Sequence, residues 1–164
     1  PPAQLDHFQV NDILSEIHHL LSAELQQQGV RMTLNQENID PVMVDGNQLR
    51  QALLNIVRNA TEAGAKNLLL TLQQVENSIE ISLTDDAEGM SEEQIARAFD
   101  PFYSTKATGT GLGLAITRQI LEDHGGFIRV ESTVMKGTTV VLVIPQKHTK
   151  ETDEHAQPTE HFSR

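Results

Sequence analysis

Gly109-Thr110-Gly111-Leu112-Gly113-Leu114 carries three glycines spaced two and two, immediately before a helical pattern. Residues without side chains let backbone N–H groups approach phosphate oxygens, and a helix N-terminus adds a favourable dipole. The spacing is neither a Walker loop, which ends Gly-Lys-Ser/Thr, nor Gly-X-Gly-X-X-Gly. Glycines punctuate turns in every fold, so the hexapeptide alone decides little. Its weight comes from what precedes it in order: Asn55-Ile56-Val57-Arg58-Asn59, then Asp85-Asp86-Ala87-Glu88-Gly89, then Phe99-Asp100-Pro101-Phe102.

Around these stretches the hydrophobic pattern alternates between the two regular periods. Leu49, Ala52, Leu53, Ile56, Val57, Ala60 and Ala63 recur at helical spacing and predict a helix over 47–63. Asn55 and Asn59 lie four apart on it, so their side chains share a face beside the apolar stripe. Leu68, Leu70 and Leu72, then Ile79, Ile81 and Leu83, alternate as two strands around a turn at Glu76-Asn77. Asp85 continues the phase of the second strand toward the interior, where a carboxylate without a donor is costly. The other reading ends that strand at Thr84 and leaves Asp85 in water.

Ser91 and Gln94 stand in capping-box positions for a short helix through Phe99, broken by Pro101. Leu112, Ile116, Ile120 and Leu121 predict a helix ending at His124-Gly125-Gly126, with His124 as a cation suited to the helix dipole. Strands are expected over 127–131 and 137–144. Toward the N-terminus, Phe8 to Val10 reads as extended and Asn11 as the N-cap of a helix to Gln28. Ile13, Ile17, Leu20, Leu21 and Leu25 are its expected inner face. Val30 to Leu34 reads as a strand, and Val42 to Val44 as a short extended piece.

The 164 residues, 38% hydrophobic and 21% charged, fit one globular domain with an aliphatic core, since aromatics make up only 4%. There is no apolar run of membrane-spanning length and no secretory signal. The absence of Cys excludes disulfides and thiolate-bound zinc and is compatible with a reducing cytoplasm. A net charge of −11 argues against a nucleic-acid-binding surface. The start Pro1-Pro2, without Met, reads as a fragment of something longer, and 147–164 as a polar, disordered tail after a domain over 1–146.

Taken in order, the four stretches resemble the N, G1, F and G2 boxes of the histidine-kinase catalytic domain, in the Bergerat-fold ATPase and kinase superfamily. With the element pattern, the resemblance implies an α/β (α+β) two-layer sandwich: a mixed sheet of about five strands with three main helices on one face. It implies ATP and Mg²⁺ as ligands, with Asn59 coordinating the metal across the phosphates and Asn55 supporting it. Asp85 would read the adenine amine, assisted through water by the Thr138 hydroxyl, within a box that includes Gly89. Gly109, Thr110, Gly111, Leu112, Gly113 and Leu114 would form the hinge of an ATP lid. Phe99 and Phe102 would pack that lid against the domain, and Lys106 would meet the β- and γ-phosphates. The run from Phe99 to Lys106 resembles the nitrogen-regulation and flagellar-regulation type of sensor kinase.

The resemblance further implies a cytoplasmic domain of a homodimeric full-length protein, and leaves open whether that protein is membrane-attached. Its partners would be an upstream dimerisation domain carrying the phosphoacceptor histidine and a downstream response regulator. His18 and His19 lack the His-Glu-X-X-Asn-Pro phosphoacceptor pattern, and His148, His155 and His161 have no ligand spacing, so the isolated chain is not expected to autophosphorylate. Hydrolases of the superfamily carry a Glu at the position of Asn55, and a neutral amide takes no proton from water near pH 7. A serine kinase of the anti-sigma-factor type is the remaining catalytic alternative. One box departs from Asp-X-Gly-X-Gly, because Ala87 replaces its first glycine between Asp86 and Glu88. An alanine there, forced into a left-handed φ or pressed against the approaching base, would weaken nucleotide binding roughly 5- to 30-fold, with added repulsion from the two carboxylates. In the limit the chain would be a non-catalytic interaction module.

Overall fold

The alternating leucines and isoleucines at the middle of the chain build the centre of a sheet. In the computed structural model, which describes residues 2–103 and 113–146, β4 (Asn67–Val75) and β5 (Ser78–Asp85) form an antiparallel hairpin. Leu68, Leu70, Leu72, Ile79, Ile81 and Leu83 are all buried, as period-two alternation against one covered face requires. β7 (Thr138–Pro145) pairs antiparallel with β5, and β6 (Phe127–Ser132) pairs antiparallel with β7. β2 (Arg31–Gln36) runs parallel to β4, which gives a mixed sheet of order β2-β4-β5-β7-β6. Three helices cover one face, α1 (Val10–Gln27), α2 (Gly46–Glu62) and α4 (Gly113–Asp123), and the aliphatic core lies between the layers.

The phase of α2 is set by what it buries. Leu49, Ala52, Leu53, Ile56, Val57 and Ala60 are each buried, and full burial of each large aliphatic side chain is worth ~1.5–3 kcal/mol. Asp45 starts the helix by accepting the Gln48 N–H at 3.1 Å. With the stripe locked inward, Asn55 and Asn59 fall beside it and are half-buried.

Several local expectations differ from the structure for identifiable reasons. Asn11 does not cap α1; it is buried, donates to the Glu37 carbonyl at 2.7 Å and to Gln36 Oε1 at 3.2 Å, and so ties the helix to the end of β2. Those bonds satisfy a buried amide, and Gln9 takes the N-cap position without a side-chain cap. Leu20 is 65% exposed, and the inner stripe of α1 instead runs through Val10, Ile13, Leu14, Ile17, Leu21 and Leu25. The two short extended pieces near the N-terminus, β1 (Asp6–Phe8) and β3 (Val42–Val44), pair with each other as a separate two-stranded sheet.

On α4, Ile116 is exposed and Thr117 is buried, its hydroxyl donating to the Gly113 carbonyl at 2.8 Å. The Ser91–Gln94 capping box forms as the spacing predicts, but α3 (Glu92–Arg97) stops before Phe99. Phe102 is 76% exposed with φ +67°, while Phe99 is half-buried with the Arg118 guanidinium 5.6 Å from its ring. Lys106, Gly109, Thr110, Gly111 and Leu112 lie outside the described residues, as does 147–164.

Candidate nucleotide site

Two of the boxes meet where α4 begins. A Cβ on Gly113 would stand 3.3 Å from Asn59 Oδ1 and 3.9 Å from Asn55 Cβ, so the last glycine of the hexapeptide lies directly on the asparagine pair. Leu114 packs half-buried on the core beside it. Asn55 Nδ2 is buried without a hydrogen-bond partner among the described residues. An orphaned buried donor costs ~1–3 kcal/mol, and an acceptor supplied by a ligand removes that cost. Among the described residues no three His, Asp or Glu side chains cluster to hold a metal ion. A cation at this end would therefore draw on amide oxygens and on the ligand itself, a donor set suited to Mg²⁺.

The second part of the site is built at the end of β5. Asp85 is half-buried, and its Oδ1 accepts the Ala87 N–H at 2.9 Å and the Thr138 N–H at 3.1 Å. Both bonds fall on one oxygen, which leaves Oδ2 without a partner among the described residues. Burial pushes the carboxyl above the ordinary carboxylate range despite the two amides, with the Asp86 charge adding to the rise. The strand thus continues through Asp85, in the phase that the alternation of Ile79, Ile81 and Leu83 predicts.

Thr138 reaches Asp85 through its backbone, not its hydroxyl. The hydroxyl lies 2.7 Å from Ser132 Oγ, which also bonds the Gly137 carbonyl at 3.0 Å and the Met90 N–H at 2.8 Å. The carbonyl can only accept, so Ser132 spends its proton there and Thr138 donates to Ser132. Ser132 therefore joins the loop after Asp85 to the start of β7. It falls between the strands expected over 127–131 and 137–144, and no spacing marks it out.

Ala87 does not take the left-handed backbone expected of it. Its φ is not positive, since Glu76, Phe102 and Met135 are the non-glycine residues with positive φ among those described. Its methyl is buried in the core. The left-handed residue of this loop is Gly89, at φ +68°. Ala87→Gly is accordingly expected to cost about 1 kcal/mol of stability, from a lost buried methyl and added backbone entropy, and to leave Mg-ATP affinity unchanged. Urea denaturation and calorimetry check this; tighter binding in the variant would reinstate strain at Ala87.

Asp86 is engaged within the fold. Its Oδ1 accepts the Lys66 and Asn67 N–H groups at 2.8 and 2.9 Å, and its Oδ2 accepts Asn67 Nδ2 at 2.9 Å. The Asn67 side chain, then the Asn67 and Lys66 backbone, hold its carboxyl down to about 2 from 3.8. Asp86 clasps the end of β5 onto the start of β4. Because the folded value is depressed, its contribution is complete above about pH 4 and is lost as the pH falls through about 2. Asp86→Asn should be less stable than the parent chain near neutral pH, with the gap closing in urea titrations taken stepwise toward the acid limit. A gap that stayed constant would contradict the clasp.

His124 is not a helix-end cation. It is buried, and its Nε2 lies 2.9 Å from the Asp45 N–H, which can only donate. Nε2 must then be the acceptor, so the imidazole is neutral and its Nδ1–H donates to the Ile120 carbonyl at 2.7 Å.

Residues 44–148 match the family model described as histidine kinase-, DNA gyrase B-, and HSP90-like ATPase. Sporulation kinase E of Bacillus subtilis (strain 168) is 36% identical over 146 residues, which is 87% of this chain and 20% of that protein. The sensor histidine kinase ZraS of Salmonella typhi is 35% identical over 141 residues, covering 83% of this chain and 30% of that protein. The chain thus spans a third or less of the length of these curated relatives. Among solved structures, the nucleotide-free catalytic domain of histidine kinase ThkA superposes with TM-score 0.79 at 29% identity, over 87% of this chain and 96% of that one. Full-length ShkA in complex with AMPPNP gives TM-score 0.79 at 25% identity, over 87% of this chain and 31% of that one. No helix among the described residues is long and apolar enough to cross a membrane. With the match running from the end of β3 to past the last strand, the chain belongs to the histidine kinase-, DNA gyrase B-, and HSP90-like ATPase family, alongside sensor histidine kinases.

Proposed function

We propose that this chain binds Mg-ATP and presents its γ-phosphate to a histidine on a dimerisation domain of the same full-length protein, from which a response regulator takes it. The observation that carries the reading is the meeting of Gly113 with Asn59 and the unpartnered Asn55 amide, on the same sheet-and-helix frame as Asp85. Asp85 Oδ2 receives the adenine amine, and that donor favours the charged carboxylate which burial disfavours. Asn59 and, behind it, Asn55 orient the triphosphate, with Lys106 and the backbone from Gly109 to Leu114 completing the phosphate end. Mg²⁺, when bound, neutralises phosphate charge.

Asn55 is a neutral amide and does not activate water, so the γ-phosphoryl group is held for an imidazole nitrogen rather than hydrolysed. The bond from the γ-phosphorus to the β–γ bridging oxygen breaks as the phosphorus–nitrogen bond forms, ADP leaves, and the imidazole N–H proton passes to water. This domain contributes positioning and charge neutralisation. The test is a calorimetric titration with ATP, with and without Mg²⁺, followed by γ-labelled phosphotransfer to a supplied phosphoacceptor domain. Magnesium-dependent binding with label on the acceptor histidine is expected. Absence of binding would leave the fold as an interaction module, and release of free phosphate would make it a hydrolase.

A further inference from the structure

We infer that His124 is a positioning residue for the phosphate end of the site: a neutral imidazole that sets the register of α4 along α2. The inference rests on the reading of Asn59 as the metal and phosphate residue. α2 and α4 pack directly and touch at both ends. At one end Gly113, the first residue of α4, lies on Asn59 in the last turn of α2. At the other, His124 follows the last residue of α4 and reaches the N–H of Asp45, the N-cap of α2. The two helices therefore run antiparallel and are pinned head and tail.

The pins differ in kind. Leu49, Leu53, Ile120 and Leu121 are aliphatic and buried, and apolar contact is not directional. The His124 contact is directional on both sides. Nδ1–H fixes the ring to the Ile120 carbonyl of its own helix, and Nε2 accepts from α2. The contact is not an ion pair, because the Asp45 carboxylate is engaged elsewhere, by the Gln4 N–H at 2.9 Å and the Gln48 N–H at 3.1 Å. Removing the acceptor leaves the Asp45 N–H unsatisfied and frees α4 to slide. A slide displaces Gly113 from Asn59. Asp85 is held by the amides of Ala87 and Thr138, with no bond to α4, and stays in place.

His124→Leu and His124→Gln are to be titrated calorimetrically with Mg-ATP, with ATP in EDTA, and with adenosine. The Leu variant is expected to lose about 10-fold of the gain in ATP affinity that Mg²⁺ provides, with adenosine affinity within about 2-fold of the parent. The Gln variant, whose Oε1 can accept from the Asp45 N–H, is expected to restore most of that gain. Where the Leu variant does not fold, His124→Asn, too short to reach Asp45, takes its place. A folded variant lacking the acceptor that keeps the full magnesium gain would overturn the proposal, as would equal losses for adenosine and Mg-ATP. Asn59→Ala run in parallel separates the two readings: if it retains the magnesium gain, the Asn59 assignment fails, not the His124 contact.

Discussion

Asn59→Ala is expected to bind Mg-ATP at least ~100-fold more weakly than the parent chain, beyond the 10- to 100-fold typical of losing a group that only supports a ligand. Its stability should stay within about 0.5 kcal/mol of the parent. The two halves of that expectation come from one geometric fact. Asn59 sits beside the buried stripe of Leu49, Leu53, Ile56 and Ala60, not in it, so truncation opens no core cavity. Its Oδ1 faces Gly113, where an added Cβ would stand only 3.3 Å away, so its amide lies at the start of α4. Adenosine, which lacks phosphates, should bind the variant as it binds the parent. Calorimetry with both ligands and a urea titration check the result. Unchanged Mg-ATP affinity in a folded variant would remove the phosphate end of the site from α2.

The parts of this geometry that were legible in the sequence are those governed by local periodicity. Alternation through Leu83 placed Asp85 inward, and the 3.6-residue stripe of α2 put Asn55 and Asn59 on a shared flank; both follow from chain geometry over a few residues. The same alternation would have turned Asp86 away from Asp85, yet the acidic run invited a reading as one cluster of charge. What stayed hidden depends on contacts between distant segments. The acceptor that His124 offers has meaning only because Asp45 lies across the helix pair. The donor that Asp86 satisfies belongs to another strand. Ser132 draws its partners from Met90, Gly137 and Thr138, three positions that no motif connects. Backbone sign is equally invisible in a box pattern: comparing glycines by position pointed to Ala87, whereas the left-handed residue is Gly89.

Gly89→Ala should therefore be as damaging as Ala87→Gly is mild. At φ +68° an added Cβ would stand 2.0 Å from the Thr133 carbonyl oxygen and 2.8 Å from its carbon. Neither atom belongs to a flexible side chain, so the loop or the β6–β7 connection has to move. The left-handed backbone alone costs ~1–2 kcal/mol for an alanine, and forced displacement of packed atoms adds ~1–3 kcal/mol. The sum, roughly 2–5 kcal/mol, is a large share of the 5–15 kcal/mol typical of a whole domain. The displaced segment is the one that carries the Ala87 N–H and the Met90 N–H, which hold Asp85 Oδ1 and Ser132 Oγ. Adenosine affinity should consequently fall together with stability, a pairing that Asn59→Ala does not show. Thermal and urea unfolding beside an adenosine titration would test it. A Gly89→Ala chain as stable as the parent would mean that this loop relaxes without its glycine, and that the close approach to Thr133 does not hold the adenine end together.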